Sequence, residues 1–430
     1  MQTKEYEYVI VGSGAGGATL ARELAIRGKD VLVVERGQYA KKLGTFRQSL
    51  PYFDGNRVTK IPRKSKEGVI LWRTLMAGGS TIVSCGNGTR CLEQELSDLG
   101  IKLSDEFPEA EREMGIAPIG EHLLSGGSSR IMEASKELGY GMEPTPKFVK
   151  PDLCKQCGQC VFGCSHDAKW TALRYLDEAV KSGATVLYET RIDRVLIEDG
   201  TARGVQGRGP RGKEINLQGG TVVLSAGGLG TPVILQRSGV DSAGSGLFVD
   251  LLVNTYGVTE DLNMIGEPPM SLIDHGFYGE KGFILSTYVN HNRLVRFMEL
   301  GAKGLTLPAN RLLGIMTKSR DDSAGRVYAD GSVSKPVTKS DWKRLKEGSR
   351  IAADILVKAG ASKESIAVSY PQGAHPGGTA AIGRVVNESL QTEVSSLFVC
   401  DASVLPTSPG MPPILTIVAL AKRLAAHLSS

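Results

Sequence analysis

The 430-residue chain contains no window of 18 uncharged apolar residues, so no membrane-spanning helix is expected. No apolar h-region with a cleavage site follows Met1, which speaks against a secretory signal and sets the expectation of a cytoplasmic protein. No excess of one charge is present either. The 51 Lys+Arg stand against 46 Asp+Glu, and the net +5 is spread without a basic stripe, which excludes a nucleic-acid binder. Internal repeats and low-complexity tracts are also missing, which sets aside solenoids and linker-like segments. A hydrophobic content of 41% supplies a globular core and rules out a disordered chain. The length suits about three domain-sized units, or two with a large core. What the chain does hold is 53 glycines, about one residue in eight, and seven cysteines. The usual glycine share is about 7%.

The first forty residues account for part of the glycine. Residues 8–11, Tyr-Val-Ile-Val, are a short apolar run suited to a buried parallel strand. Gly12-Ser-Gly-Ala-Gly-Gly17 follows at once, then Ala18, Leu20, Ala21 and Leu24 at helical spacing. The helix is expected to stop near Gly28, and residues 31–34 form a second strand ending at Glu35. In this strand, G-x-G-x-x-G, helix, strand, acid order, Gly12 permits the tight turn. Gly14 lets backbone N–H groups approach a pyrophosphate, and Gly17 lets the helix pack close to the strand. Ser13, Ala15 and Gly16 complete the loop, and the helix N-terminus faces the anion. Glu35, with Arg36 beside it, is placed to accept ribose hydroxyls, which argues against a 2′-phosphate and hence against NADP. The motif does not separate FAD from NAD.

Further along, residues 40–75 are polar and irregular. Arg73-Thr-Leu-Met-Ala-Gly-Gly-Ser-Thr81 is a second glycine cluster, a loop where backbone approaches something closely. Residues 104–145 read as two helical stretches around a Gly-Ser-rich turn at 125–129. Residues 170–180 form an amphipathic helix, and 185–188, 191–197 and 221–225 form strands. Ala226-Gly-Gly-Leu-Gly-Thr-Pro232 follows a strand and precedes a helix, so this turn can approach the same dinucleotide. Residues 250–259, 283–288 and 313–317 are β-like, and 327–333 is a hairpin turning at Asp330-Gly331. They predict an antiparallel sheet inserted into the dinucleotide fold. Residues 342–359 form a helix with a solvated basic face.

Four of the seven cysteines fall in Cys154-Lys-Gln-Cys157-Gly-Gln-Cys160-Val-Phe-Gly-Cys164. This C-x2-C-x2-C-x3-C spacing is that of bacterial ferredoxin loops, which hold [4Fe–4S] clusters. In two-cluster ferredoxins the fourth cysteine ligates the other cluster and a proline usually follows it; here Ser165 follows. The fourth ligand is therefore Cys164 or a remote residue, for which Cys85 and Cys91 are the candidates. Zinc and reduced structural thiols stay open as alternatives, although zinc sites usually separate two C-x-x-C pairs by more chain. Disulfides are disfavoured in a chain without a secretion signal.

Near the C-terminus, His375-Pro-Gly-Gly-Thr379 is a glycine-rich loop. A lone His is more often a core or surface residue than a catalyst, but His375 lies on no apolar face, which raises the weight of the catalytic reading. Residues 396–401 are a strand ending in Asp401, which suits cofactor hydroxyls or a turn cap. A Pro/Ser/Gly loop over 402–413 and an apolar helix over 414–428 close the chain.

Four separated blocks of the sequence resemble the glucose–methanol–choline (GMC) oxidoreductases, which depend on FAD. They are residues 9–35, residues 73–81 with Asn87, residues 226–232 through Ser238-Gly239, and residues 375–379 with 398–416. The stretch from Cys160 to Leu176 also resembles the alcohol oxidase and dehydrogenase branch. The resemblance implies an α/β fold. A Rossmann-like FAD-binding domain would be assembled from 1–110, 181–245 and 385–430. Residues 111–180 would form a cysteine-rich insertion or cap, and 246–384 an inserted α+β antiparallel-sheet substrate domain. Carried over by position, Gly12, Gly14 and Gly17 hold the pyrophosphate and Glu35 the adenosine ribose. Gly78, Gly79 and Ser80 lie along the pyrophosphate or flavin, with Ala226 in the second glycine turn. Val195 presents backbone to adenine, and Asp401 meets the ribitol–phosphate region. Pro413, Ile414 and Thr416 meet the pyrimidine edge of the flavin. His375 matches the active-site base that takes the alcohol proton while hydride moves to flavin N5.

The chain departs from the family in three ways. A second His or Asn is usual where this chain has Pro412, so the polar clamp on the substrate oxygen is incomplete. A flavin-linking His would fall near Val83, which implies non-covalent FAD. The chain is also short for the family, which implies a trimmed substrate domain.

The leading reading is an FAD-dependent dehydrogenase oxidising an alcohol CH–OH group. A [4Fe–4S] cluster at Cys154, Cys157, Cys160 and Cys164 would pass electrons to a protein or quinone acceptor, and a hetero-oligomer is one arrangement that would suit this. The alternatives are a flavin/Fe–S reductase of a carbonyl, quinone or activated double bond, and an electron-transfer flavoprotein subunit. The substrate itself is not readable. Phe248, Tyr256, Phe283, Tyr288 and Phe297 can line an apolar pocket, with core packing as the plainer role for most.

Overall fold

The computed structural model describes residues 4–41, 43–55 and 62–430. Lys42 and residues 56–61, which belong to the irregular 40–75 stretch, lie outside the described residues.

The first sheet has seven strands and a parallel centre. Glu5–Val11 lies between Val31–Val34 and Glu214–Leu224, with Thr185–Leu187 beyond Val31–Val34, and all these pairs are parallel. The strand expected at 221–225 is only the end of this eleven-residue Glu214–Leu224 strand. Its first half pairs antiparallel with Thr201–Arg208, which in turn pairs with Arg191–Glu198. Its last three residues pair parallel with Leu397–Val399. Val9, Ile10, Leu32, Val33, Val222 and Val223 are fully buried, as strands covered on both faces require. The helices Ala15–Ile26, Ala172–Lys181 and Ile414–Ser429 belong to the covering layer, and the first contacts both others.

The second sheet has eight strands and is almost wholly antiparallel. Its centre is Leu251–Val258 paired with Leu312–Ser319, followed by Phe283–Thr287 and Leu272–Asp274. The helix Lys339–Lys358, opened by a Thr338–Asp341 capping box, packs across one face of the sheet. Side chains alternate across a strand, so the register decides what each face offers. Thr317 faces the helix, where a Cβ on Gly348 would lie 2.2 Å from its methyl carbon. Lys318 and Met316, opposite Leu252 and Asn254, therefore face the other way.

The turn expected at 125–129 is a helix start. Ser125 accepts a hydrogen bond from Ser128 N as the N-cap of Gly126–Glu137. Serine followed by glycines reads as a turn, but the serine oxygen satisfies an otherwise orphan helix N–H. Residues 111–180 contribute to two cores. Ile131 and Ala134 pack under the second sheet, whereas Trp170, Leu173, Tyr175 and Leu176 pack into the core of the first.

Candidate active site

The carboxyl ends of the parallel strands converge, as ligand sites in open α/β sheets require. Gly12 N donates to Val34 O, Ser225 N to Val11 O and Cys400 N to Leu224 O. A cavity of about 490 Å³ opens above these ends and runs on to the uncovered face of the second sheet.

Four glycines of the first loop separate by what surrounds them. A Cβ on Gly12 would lie 2.3 Å from Ser225 O, on Gly16 1.9 Å from Cys400 O, and on Gly17 2.0 Å from Gly12 O. Gly12 also has φ +103°, the left-handed region. These three are glycine because the chain packs on itself there. Gly14 has no protein atom within 4 Å of a built Cβ, faces the cavity and is the N-cap of Ala15–Ile26 without a side-chain partner. The helix Ile414–Ser429 likewise starts at the cavity, with Pro413 as an N-cap that supplies no side-chain acceptor. Two helix N-termini thus open onto one space. Arg36, Arg63, Arg73 and Arg191 also line it, and Asp54 holds Arg63 and Arg73 at 3.0 and 2.7 Å.

Of the expected cofactor residues, Gly12, Ser13, Gly14, Ala15, Gly16, Glu35, Arg36, Gly79, Ser80, Ala226, Asp401, Pro413 and Ile414 line this cavity. Gly17, Gly78, Val195 and Thr416 do not. Gly17, in the first turn of the helix Ala15–Ile26, packs on Gly12 O, and Gly78 N donates to Ser13 Oγ. Thr416 Oγ1 donates to Cys91 O. Val195 N is taken by Ser238 Oγ at 2.8 Å, and Ile192, nearer the start of the same strand, reaches the cavity instead. Glu35 is buried and ties the loop: Ser13 N and Oγ donate to one of its oxygens and Gly37 N to the other. Asp401 accepts from Gly227 N, Thr231 Oγ1, and Ser403 N and Oγ, so it caps the following turn while facing the cavity.

His375 lies where the cofactor loops meet the second sheet. Gly228 runs so close beneath it that a Cβ would lie 2.1 Å from Pro376 O, and Thr379 Oγ1 donates to Gly228 O. His375 Nδ1 is 2.8 Å from Asp250 Oδ2. Asp250 is fully buried, and its other oxygen accepts from Ser408 Oγ and Gly410 N. The carboxylate fixes the tautomer with the proton on Nδ1, which leaves Nε2 as an acceptor. Burial and the nearby Lys318 ammonium hold the His375 pKa below its usual value, against the pull of Asp250. The pair is therefore a neutral imidazole ready to take a proton.

Beyond His375 the cavity is lined by both apolar and polar side chains. Leu252, Asn254, Met316 and Lys318 line it from the sheet, joined by Tyr288, Asn290 and Glu299. Glu299 accepts from Tyr256 Oη at 2.5 Å, and Asn254 Oδ1 is buried without a donor. Of the five aromatic candidates, Tyr288 alone lines the cavity. Phe248, Tyr256 and Phe283 are fully buried in packing, and Phe297 is exposed. Pro412 lines the cavity and offers no hydrogen-bonding side chain.

The cysteine run lies against this cavity, with Val161 and Phe162 forming wall. Cys160 neighbours Cys85 and Cys164, and Cys154 neighbours Cys157 and Cys164. Cys85 thus joins the run, whereas Cys91 packs on Thr416 among Glu93, Glu95 and Asp250. Among the described residues, the trio of metal-type donors that come within 4.8 Å of one another is Glu23, Glu109 and Glu113, and no three cysteines do so. Lys422 neutralises that trio at 2.9–3.0 Å. One tetrahedral zinc would draw thiolates to about 3.8 Å from each other, given Zn–S bonds of about 2.3 Å. The arrangement does not fit a zinc site. A cubane, with each thiolate on a different iron, spaces its ligands more widely.

Asp250, Lys318, Glu299, Asn254 and the arginine cluster beyond Arg36 escape a reading of the sequence. Asp250 merely opens a β-like run, and nothing in spacing links it to a histidine 125 residues away.

Two family models with the description GMC oxidoreductase match the chain, over residues 6–262 and 321–421. An uncharacterised protein of Methanocaldococcus jannaschii is 32% identical over 429 residues, covering 97% of this chain and 98% of that protein. A long-chain-alcohol oxidase of Arabidopsis thaliana is 25% identical across 96% of this chain and 66% of its own length. Pyridoxine 4-oxidase from Mesorbium loti shares the fold with a TM-score of 0.75 at 17% identity, over 98% of this chain and 99% of the other. A formate oxidase variant of Aspergillus oryzae RIB40 does so at 0.74 and 17% identity, over 100% and 98%. No helix among the described residues is long and apolar enough to cross a membrane.

Proposed function

The chain belongs to the GMC oxidoreductase family, and on that premise we propose that it oxidises the CH–OH group of an alcohol, as a dehydrogenase with His375 as base. The residues at the strand ends fit FAD. A bare Gly14 at an uncapped helix N-terminus suits a diphosphate. Arg36 and Ile192 lie where an adenosine end would be met, and residues 412–414 border the side facing the second sheet. Bound there, FAD supplies the hydride acceptor.

The observation that carries the reading is the His375–Asp250 pair facing this cavity. Asp250 holds the imidazole so that Nε2 accepts the hydroxyl proton, and burial keeps the ring neutral until it does. Asn254, Asn290, Glu299 and Lys318 on the cavity wall support an alcohol that carries further hydrogen-bonding groups, because a plain alkyl chain would leave polar side chains unpaired. Anaerobic mixing of the FAD-loaded protein with a panel of alcohols tests this directly. One or more alcohols are expected to bleach the flavin, and His375→Ala to slow that bleaching about 10²–10⁴-fold. Unchanged rates in His375→Ala would sink the assignment.

Relatives include oxidases, and the dehydrogenase reading rests on the cysteine run. Cys154, Cys157, Cys160 and Cys164, with Cys85 as an alternative fourth ligand, would hold a [4Fe–4S] cluster beside the cavity wall. Such a cluster supplies a one-electron exit toward a protein or quinone acceptor. Iron and acid-labile sulfide are expected in anaerobically purified protein, with turnover faster on a one-electron dye than on oxygen.

A further inference from the structure

Five lysines are buried among the described residues: Lys147, Lys169, Lys318, Lys335 and Lys422. Four are fully engaged. Lys147 Nζ donates to Cys85 O, Asn87 Oδ1 and Pro269 O, and Lys169 Nζ to Ile82 O, Ser84 O and Cys160 O. Lys335 pairs with Asp321 and donates to two carbonyls, and Lys422 meets Glu23, Glu109 and Glu113. Lys318, 2% exposed, has no hydrogen-bond acceptor and no carboxylate within 4.0 Å among the described residues. A buried ammonium without a partner is costly and is not kept for stability.

The position of Lys318 explains the exception. Its strand residue pairs with Leu252 and Ile284 and projects onto the cavity face, with His375 as a neighbour. Pro412 lines the same cavity and offers no side-chain group to a substrate oxygen. We propose that Lys318 is a second catalytic residue, whose ammonium binds the oxygen of the substrate alcohol and counters the negative charge that develops on it. The proposal rests on the alcohol-oxidising reading and completes it. The O–H proton passes to His375 Nε2, the C–H hydride leaves for the bound flavin, and the C=O bond forms. Lys318 keeps its own proton throughout. Its charge serves twice, because the same field that steadies the alkoxide adds to burial in keeping His375 neutral beforehand.

The variants Lys318→Met and Lys318→Arg of the FAD-loaded protein test this with three readouts. Lys318→Met is expected to unfold at higher denaturant than wild type, since it removes an unpartnered buried charge. A lysine kept for structure would give a lower midpoint. Acetate, used as an oxyanion probe read through the flavin absorbance, is expected to bind wild type and Lys318→Arg, and Lys318→Met at least tenfold more weakly. Flavin reduction by any reactive alcohol is expected to slow about 10²–10³-fold in Lys318→Met and to recover in part in Lys318→Arg. Equal acetate affinity in wild type and Lys318→Met would overturn the proposal, whether or not an alcohol is found. Acetate binding that needs Lys318, without reduction by any alcohol, would leave the oxyanion site standing and reject the alcohol reading instead. Should Lys318→Met fail to retain FAD, Lys318→Gln carries the same acetate comparison.

Discussion

Glu299 is expected to make the protein less stable as the solution becomes less acidic. The residue is 2% exposed at the polar end of the cavity, where Tyr256 Oη donates to it at 2.5 Å, Asn254 Nδ2 at 3.3 Å and Gln372 Nε2 at 3.4 Å. These donors favour the carboxylate, but burial outweighs them and pushes the pKa up from 4.5 to about 7. At about 1.36 kcal/mol for each factor of ten, the difference is about 3 kcal/mol. The native state holds this proton more tightly than the unfolded chain does. The stabilisation is therefore complete below pH 4.5, declines as pH rises and is lost above about 7. Glu299→Gln keeps the shape and has no proton to lose. Urea unfolding of both proteins with the same excess of FAD isolates the effect, since the other titrating groups cancel in the difference. The stability of Glu299→Gln relative to wild type is expected to rise by about 3 kcal/mol between the acidic and alkaline ends of this window. A difference that stays flat with pH would refute the reasoning, because it would mean that the native carboxyl ionises as freely as the unfolded one.

The glycine loop makes a paired prediction. Gly14→Ala is expected to fold normally and to bind FAD about tenfold or more weakly, whereas Gly16→Ala, with its Cβ 1.9 Å from Cys400 O, loses about 1–3 kcal/mol of stability, as thermal unfolding and FAD titration would show. Asp250→Asn is expected to slow anaerobic flavin reduction about 10²–10⁴-fold, because the amide NH₂ donates to Nδ1 and moves the proton to Nε2. In wild type the acid limb of the reduction rate is expected to lie below pH 6.5, since the His375 pKa is depressed from that value by burial and Lys318, and the rate is lost as His375 becomes protonated. Cys157→Ser, at the exposed end of the run, is expected to lose iron and acid-labile sulfide while retaining FAD.

The joining of cofactor and catalytic regions rests on very short contacts between backbones. Gly228 beneath Pro376 and Gly16 beneath Cys400 leave no room for a side chain, so shifts in one loop pass directly to the next. The loop that carries His375 is therefore built into the walls of the cofactor cavity. Asp321 extends the same network: it accepts from Ser408, Lys335 and the Val249 and Leu251 amides, so the segment carrying Asp250 is held from both sides.

What the sequence determined by itself was local. Strand, glycine loop, helix and acid run from Glu5 to Glu35 without a break, and every relation in that unit is a near-neighbour spacing that periodicity exposes. The antiparallel strands were legible for the same reason, as were the cysteine run and the glycine-rich loop around His375. The serine and glycines at 125–128 misled because a turn and a helix cap draw on the same residues. Only the tertiary structure decided which acid holds His375, that Ile192 rather than Val195 reaches the cavity, that Cys85 lies near the run while Cys91 does not, and that Lys318, alone among the buried lysines of the described residues, lacks a partner. Each of these depends on strand register or on packing between segments far apart in the chain. A slip of one residue would turn Lys318 toward the helix and Thr317 toward the cavity, and no local pattern in the sequence records that choice.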